Sequence, residues 1–386
     1  MIRKAYVFRL YPTPAQETAL NGVLAVCREV YNSLVNWRKH DYEVEGQSPN
    51  YYEQKKALPV WKQTHPELRE IHSQTLQDVV KRVDLAFQAF FRRCRASATG
   101  KAGETPGYPR MKGVGQYDSF TFTQGGYSVT ENALTMFKIG AVKAVFHRPI
   151  GGEIKTLTIR KRGGKWFACF SCEMVAESLP ESQESIGVDV GLSQFATLSD
   201  GSTVENPRFF RQDEKALGKA GRKQAKTKKR SPARRKANKV LSRIHERIRN
   251  RRHNFVHQFA RRLVNRYGTI AVENLNVKGM VQNHGYPLAG VAKSISDASW
   301  SMFRSVLTQK AESAARQLVA VEPAYTSQDC STCGYRVRKK LSERVHSCPN
   351  CGLVLDRDHN AALNIISLGL HRVSQSVEAA GFIHAE

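Results

Sequence analysis

No run of 18 apolar residues occurs in the sequence, so no segment qualifies as a membrane-spanning helix. The opening stretch "MIRKAYVFRLYPTPAQ" also lacks an apolar signal core. It alternates like a strand, and the chain is expected to be cytoplasmic, prokaryotic and associated with nucleic acid. Acidic residues are scarce, 34 Asp and Glu against 60 Lys and Arg, leaving a net charge of +26. A surface so positive repels itself until a polyanion neutralises it, and nucleic acid is the commonest such partner. A few surplus lysines on a solvated face do not produce an excess of this size. Cysteine is sparse as well: eight residues in a cytosolic chain of 386 argue against a disulfide framework. That length is too great for one compact core and points to two or three domains.

The cysteines that are present divide into two groups. Cys330, Cys333, Cys348 and Cys351 form "CSTC…CPNC", two Cys-x-x-Cys pairs separated by fourteen residues. This is the spacing of a four-thiolate zinc ribbon, with Gly334 and Gly352 after the second Cys of each pair to permit the knuckle turn. The pair Cys169 and Cys172 in "KWFACFSCEM" has the same local spacing inside an apparent strand. There, residues three apart point to opposite faces, so these two, with Cys27 and Cys94, are read as structural.

Along the chain, "KAYVFRLY" reads as a strand, and "TPAQ" then has the elements of a helix capping box with Pro14 at the first helical position. The helix that follows carries Leu20, Val23, Leu24, Cys27, Tyr31, Leu34 and Trp37 on one face. A second runs from about Ser73 to Arg93 with a stripe of Leu76, Val79, Val80, Val83, Phe87, Phe90 and Phe91. The Gly/Pro-rich loop "GKAGETPGYPRMKG" closes this helical segment near residue 113. From 117 to 178 the texture changes to short strands with Gly-rich turns, which with the first strand suggest a small β-barrel interrupted by the helices. After the polar linker "PESQES", "IGVDVGLSQFATLSDGSTV" opens a new domain with two apolar strands and a tight turn. Between Asn206 and Arg252 there are 19 Lys and Arg against three acids. Leu241, Ile244, Ile248, Phe255, Phe259 and Leu263 recur at helical spacing, so helices with one buried and one basic face are expected, with a tip near Ser231 and Pro232. Such a face tracks phosphates without reading bases.

Three places put a carboxylate at the end of an element. "IGVDVG" places Asp189 in an apolar strand, where an unpaired charge is costly. "TIAVENL" does the same with Glu273, and "DRDHNAALNI" brings Asp356 and Asp358 to the opening of a helix. Adjacent parallel strands can bring Asp189 and Glu273 together, with a third oxygen ligand from the helix start. Clustered carboxylates repel unless a hard cation neutralises them, and Mg²⁺ prefers oxygen. Two such ions, roughly 3.5–4 Å apart, would clamp the attacking and leaving oxygens of a phosphodiester. This is a ribonuclease-H-like plan, with a mixed sheet and acids on two strands and a closing helix.

The order of "GVDVG", "VENL", "SISDASW", "TSQDCSTCG", "CPNCG" and "DRDHNAALNI" resembles the TnpB (OrfB) family of insertion sequences, RNA-guided nucleases related to type V CRISPR effectors. "FRLYPTPAQ" and "LQDVVKRVDLAFQAFFRR" extend the likeness over nearly the whole chain. The resemblance implies an α/β ribonuclease-H-like (RuvC) nuclease domain over 181–325 and 356–370 with an inserted zinc ribbon over 326–355. A β-barrel wedge domain over 1–13 and 114–180, a helical recognition domain over 14–113 and a tail over 371–386 complete the expected organisation. It assigns Asp189, Glu273 and Asp358 as catalytic ligands for two magnesium ions in the family pattern, and leaves Asp356 as a helix cap. Cys330, Cys333, Cys348 and Cys351 would hold one structural Zn²⁺. The implied partners are a guide RNA from the transposon end and double-stranded target DNA with a flanking motif. Tyr52 and Gln77 align with positions facing that duplex in relatives. Arg222, Lys223, Lys226, Lys228, Lys229 and Arg230 are candidate backbone contacts, and Trp300 is expected to pack. A cleavage-inactive DNA-binding repressor and a transposase-type strand-transfer protein are the competing classes. The intact acids argue against the first; the ribbon, barrel and basicity argue against the second.

Overall fold

The computed structural model describes residues 1–100, 106–176, 178–282, 289–340 and 342–382. Residues 101–105 of the expected Gly/Pro loop and 383–386 of the expected tail lie outside the described residues. The chain divides into two compact units, Met1–Val175 and Ala176–Glu386.

The first unit begins with β1 (Ile2–Tyr11), continues through α1 (Pro14–Glu45), α2 (Tyr51–Thr64), a 3-10 turn at Pro66–Glu70 and α3 (Ser73–Ala98), and then returns to strands. These are β2 (Ser119–Phe122), β3 (Tyr127–Val129), β4 (Ala133–Met136), β5 (Gly140–Val145), β6 (Glu153–Arg162) and β7 (Lys165–Met174). Together they form one seven-stranded sheet in the order β2-β6-β7-β1-β5-β4-β3. Every pairing in it is antiparallel. The two edge strands, β2 and β3, are consecutive in the chain and joined by only residues 123–126, so the sheet curls until its edges nearly meet. The alternation legible in β1 is the reason: Tyr6, Phe8 and Leu10 point inward to meet Phe120, Leu157, Ile159, Trp166 and Phe170, all buried. Cys172 joins this interior and Cys169 lies on the other face, half-buried.

Helix α1 starts with the expected box: Thr13 Oγ1 accepts from the Gln16 backbone N–H, and Gln16 Oε1 accepts from the Thr13 N–H. Its buried stripe is Leu20, Leu24, Cys27, Val30, Tyr31, Leu34 and Val35, with Val23 and Trp37 only partly covered. Arg38, absent from any apolar pattern, is buried too. Its Nε donates to Gln54 Oε1 at 2.9 Å, its Nη2 to Asp84 Oδ1 at 3.0 Å, and its guanidinium sits 4.9 Å from the Phe87 ring centroid. One cation therefore ties α1, α2 and α3 together. The expected stripe of α3 is overextended at its end: Phe91 is 50% exposed, because α3 runs beyond the layer it packs against. Phe90 and Phe91 instead touch each other, and Phe90 meets Tyr108.

In the second unit, β8 (Ser185–Val190), β9 (Gln194–Leu198), β10 (Thr203–Glu205), β11 (Thr269–Glu273) and β12 (Gln317–Val321) form a five-stranded sheet in the order β10-β9-β8-β11-β12. The first three strands are antiparallel, while β8, β11 and β12 run parallel. Connecting them are α4 (Phe209–Ala225), α5 (Pro232–Arg266), α6 (Val277–Gln282), α7 (Ala289–Ala298) and α8 (Trp300–Ser313). A short hairpin of β13 (Val345–Ser347) and β14 (Val354–Asp356) precedes α9 (Arg357–Phe382). One sheet face packs Ile186, Val188, Ile270 and Val272 against Val256, Phe259 and Leu263 of α5 and Phe303 and Leu307 of α8. The other face lies under α9, where Ala271 and Val321 meet Ile365. Trp300 packs within the α5–α8 core, as expected of a structural residue. The basic stretch is the α4–α5 helical pair, whose turn is closed by Ser231 capping α5.

Candidate functional site

The parallel register of β8 and β11 decides where the first two acids fall. Val188 pairs with Val272, so Asp189 and Glu273 are the next residues on neighbouring strands, about 4.8 Å apart in backbone spacing. Strand residues alternate between faces. Because Ile186, Val188, Ile270 and Val272 enter the α5–α8 core, Gly187, Asp189, Ala271 and Glu273 face α9. The approach of α9 is close. A Cβ on Gly187 would lie 2.2 Å from the Ala362 carbonyl oxygen and 2.8 Å from the Ile366 nitrogen, and one on Gly369 would lie 2.6 Å from the Ala271 Cβ. Asp358 stands one helical turn before Ala362, and Asp189 two residues beyond Gly187. The glycine contact therefore sets the third acid on the same face as the other two, although among the described residues only the four cysteines gather their ligand atoms within 4.8 Å of one another.

The electrostatics report the same convergence. Burial pushes the Asp189 carboxyl well above the ordinary carboxylate range, and the negative charges of Glu273 and Asp358 push it further, opposed by Arg357. Burial raises Glu273 as well, against the hydrogen bond from Thr326. Asp358 has a different environment: it accepts from Arg357 Nε at 3.0 Å and Nη2 at 2.8 Å, and from Arg344 Nη1 at 3.4 Å. Asp356 Oδ1 accepts from the backbone N–H groups of Asp358 and His359 at 2.9 and 3.0 Å, so it caps α9.

Several groups at this site gave no signal in the sequence. Thr326 is buried, and its hydroxyl donates to Glu273 Oε1 at 2.5 Å. Asn360, fully buried, donates from Nδ2 to the Asp329 carbonyl at 2.8 Å and accepts from the Ser331 N–H at 3.0 Å. Asn364 donates to the Thr326 and Asp329 carbonyls at 2.8 and 2.7 Å. The base of the Cys-rich segment is thus fastened to the helix that carries Asp358 and to Glu273 itself. Only the "DRDHNAALNI" pattern, with two asparagines at helical spacing, could have hinted at the fastening.

The four cysteines come together. The ligand atoms of Cys330, Cys333, Cys348 and Cys351 all lie within 4.8 Å of one another. Sγ–Sγ distances are 3.6 Å for Cys330–Cys351 and 3.5 Å for Cys333–Cys348. Gly334 and Gly352, at φ of 74° and 75°, take the left-handed turn required after each pair. Asn350 and the Tyr335 backbone N–H bring the Cys333 thiol down to about 6, while Cys351, against the Leu353 backbone N–H, is pushed up to about 12 by the other three sulfurs, so the four thiols titrate as one cluster. A closed four-sulfur donor set of this kind suits zinc.

The candidate nucleic-acid residues fall in both units. Arg222 and Lys223 lie in the last turn of α4, and Lys226, Lys228, Lys229 and Arg230 in the turn leading to α5; all six are exposed. Tyr52 is 71% exposed in the first turn of α2, and Gln77 is half-buried on α3.

Three family models match the chain: "Probable transposase" of the OrfB, IS605 type over residues 169–284, "Cas12f1-like, TNB domain" over 300–365, and "Helix-turn-helix domain" of the OrfB, IS605 type over 1–47. Residues 1–47 fold here as a strand and a single long helix. A Streptomyces pristinaespiralis protein named "Putative RNA-guided DNA endonuclease" is 32% identical over 377 residues, covering 96% of this chain and 90% of the relative. The Escherichia coli (strain K12) protein "Putative RNA-guided DNA endonuclease InsQ" is 28% identical over 381 residues, covering 95% and 92%. Among solved structures, a mini-RNA-guided endonuclease CRISPR-Cas_phi3 aligns over 96% of this chain and 92% of that one at 12% identity and a TM-score of 0.48. A Cas12f1–sgRNA–target DNA complex aligns over 95% and 99% at 16% identity and a TM-score of 0.34. These two scores are too low to support an argument, and kinship rests on the sequence matches.

Proposed function

Since this chain belongs to the TnpB/OrfB family of IS605-type elements, we propose that it is an RNA-guided DNA endonuclease with a RuvC-like site made by Asp189, Glu273 and Asp358. The observation that carries this reading is the shared register of Asp189 and Glu273 on parallel strands, with Asp358 presented by the helix packed on Gly187.

The donor set fits magnesium. Three carboxylates lie on this face, and burial first, then the charges of Glu273 and Asp358, raise Asp189, a cost that a hard cation with oxygen ligands would offset. When bound, Mg²⁺ supplies the positive charge that activates water and neutralises a phosphodiester undergoing hydrolysis. The protein's part is to hold Asp189 and Glu273 side by side on a rigid sheet and to present Asp358. Thr326 fixes the Glu273 carboxylate through its hydroxyl. Arg357 and Arg344 hold the Asp358 side chain in place through their hydrogen bonds to its carboxylate.

The four cysteines close the ribbon around zinc, a structural role separate from the chemistry. A guide RNA from the transposon end pairs with the target strand, so sequence is read by base pairing and not by side chains. The exposed cations from Arg222 to Arg230 meet phosphates, and Tyr52 and Gln77 face the duplex motif beside the target. The proposed organisation keeps the boundaries expected from the sequence: wedge (1–13, 114–180), recognition helices (14–113), nuclease (181–325, 356–370), ribbon (326–355) and tail.

The test is expression with the transposon-end transcript, followed by incubation of the copurified complex with a plasmid library of randomised flanks and Mg²⁺. Cleavage next to one enriched flank, absent in Asp189→Ala, is the expected result. Strand transfer without any bound RNA would favour a transposase. Binding without cutting in the wild-type chain would favour a repressor.

A further inference from the structure

The α5–α8 layer carries a second polar cluster on the face of the sheet opposite α9 and the acids. Val256, Phe259, Ala260 and Leu263 turn into the core. The flank of α5 then presents His257, Gln258, Arg261 and Arg262, which with Lys310 of α8 line an open depression of about 640 Å³. One turn earlier, the His253 ring lies against His257 with 4.1 Å between centroids. Every side chain in the depression is cationic, a hydrogen-bond donor or an imidazole.

Two histidines one turn apart could in principle hold a metal ion. Their neighbours disfavour one: burial depresses His257, and the positive charges of His253, Lys310 and Arg261 lower it further, to about 4, so that part of the shift reports a positive field. Such a field favours an anion. From His253 to Arg261 is two helical turns, about 12 Å along the axis, long enough for more than one anionic group.

We propose that this depression seats successive backbone phosphates of a nucleic-acid strand that is held by the protein and not cut by it. The inference rests on the nucleic-acid reading of the preceding section and adds a site to it. The face decides the role: a strand lying across α5 and α8 is separated from Asp189, Glu273 and Asp358 by the sheet. Imidazoles beside guanidinium and ammonium groups give phosphate oxygens several donors without selecting a base, so the site fixes position and not sequence.

The test compares wild type, Arg261→Gln with Lys310→Gln, and a charge-matched control, Lys39→Gln with Lys138→Gln, whose lysines pair with Glu43 and Glu70 on the surface of the first unit. Affinity for the guide RNA, and for a DNA strand of the same sequence, is measured by anisotropy between 50 and 300 mM salt. The first variant should lose about 1.4 from the slope of log K against log salt for one of the strands, given roughly 0.7 per phosphate on a single strand. Its affinity should fall about tenfold near 150 mM salt. Arg261→Lys with Lys310→Arg should keep the wild-type slope, which separates lost charge from lost folding. Loss confined to RNA makes the occupant the guide, and loss confined to DNA makes it a target or displaced strand. Unchanged slopes, or equal losses in the control, overturn the inference while leaving the nuclease reading intact. A wild-type chain that binds neither strand overturns both.

Discussion

Replacing Gly187 with alanine tests whether the close approach of α9 to β8 sets the geometry of the acids. The added Cβ would begin 2.2 Å from the Ala362 carbonyl oxygen and 3.0 Å from the Ile366 Cβ. Real Cβ atoms do not approach closer than 3.0 Å, so α9 must retreat by about 0.8 Å. Backbone lies on both sides of the contact, and no flexible side chain can absorb the shift. Overpacking of this kind costs about 1–3 kcal/mol. The functional loss should be larger than the loss of stability suggests, because Asp358 rides on the first turn of the displaced helix. A misplacement near 1 Å costs about 10²-fold in rate. The assay is guided cleavage of a matched plasmid under single-turnover conditions, alongside RNA affinity and zinc content. Cleavage should fall about 10²-fold, with RNA affinity and zinc retained. Gly22→Ala, on an α1 face where a Cβ meets nothing within 4 Å, should be neutral or stabilise by up to about 1 kcal/mol. Wild-type cleavage by Gly187→Ala, at a wild-type melting temperature, would refute the argument.

Other expectations follow from the same contacts. Asp189 has a folded-state pKa above its unfolded value, so its stabilising contribution is complete below about pH 4 and is lost as pH rises through the raised value. In magnesium-free buffer, Asp189→Asn should therefore melt above wild type at pH 7.5, with the gap closing towards pH 4. A variant that melts lower throughout would contradict the assigned burial and repulsion. Cys348→Ser removes one of four clustered sulfurs and should lower zinc content towards zero, measured by elemental analysis, and reduce cleavage through the hydrogen bonds that tie the ribbon base to α9. Full zinc occupancy in that variant would count against a four-sulfur site. Arg38→Met removes the cation shared by Asp84 and buried Gln54, leaving them only Gln88 and the Leu34 carbonyl, and should destabilise the first unit by about 3 kcal/mol in urea titration. A change below about 0.5 kcal/mol would show that the cation is dispensable.

The elements at the site were legible in the sequence to different degrees. Alternation in "KAYVFRLY" and the Thr13–Gln16 box fixed β1 and the start of α1, because both depend on neighbours in the chain. Apolar strands ending in an acid marked Asp189 and Glu273, since strand period and burial are local properties. Their side-by-side register depends on pairing across β9, β10, α4 and α5 and is an inference about topology. Gly187 carried no mark at all. Its meaning lies in Ala362 and Ile366, on a helix far along the chain, and small residues in strands have many causes. Thr326, Asn360 and Asn364 were invisible for the same reason: single polar residues look alike until the partner carbonyl or carboxylate is known. Phe91 shows the opposite error, in which helical spacing continued past the layer available to bury it.

Helices α1, α2 and α3 are hung between β1 and β2, strands that β6 and β7 separate in a sheet whose register does not depend on the helices. Strand β1 is locked to β7 from the Ile2–Met174 pair to the Leu10–Trp166 pair, and to β5 through Arg9, Leu10 and Tyr11. The cost of closing the excursion from residue 12 to residue 118 grows only slowly with its length. The segment is thus a natural cassette: a longer, shorter or foreign helical module grafted at Pro12 and Asp118 would inherit an intact docking frame. Exchanging that cassette, with β2 covered again, would test whether these helices carry the flanking-motif recognition proposed for them.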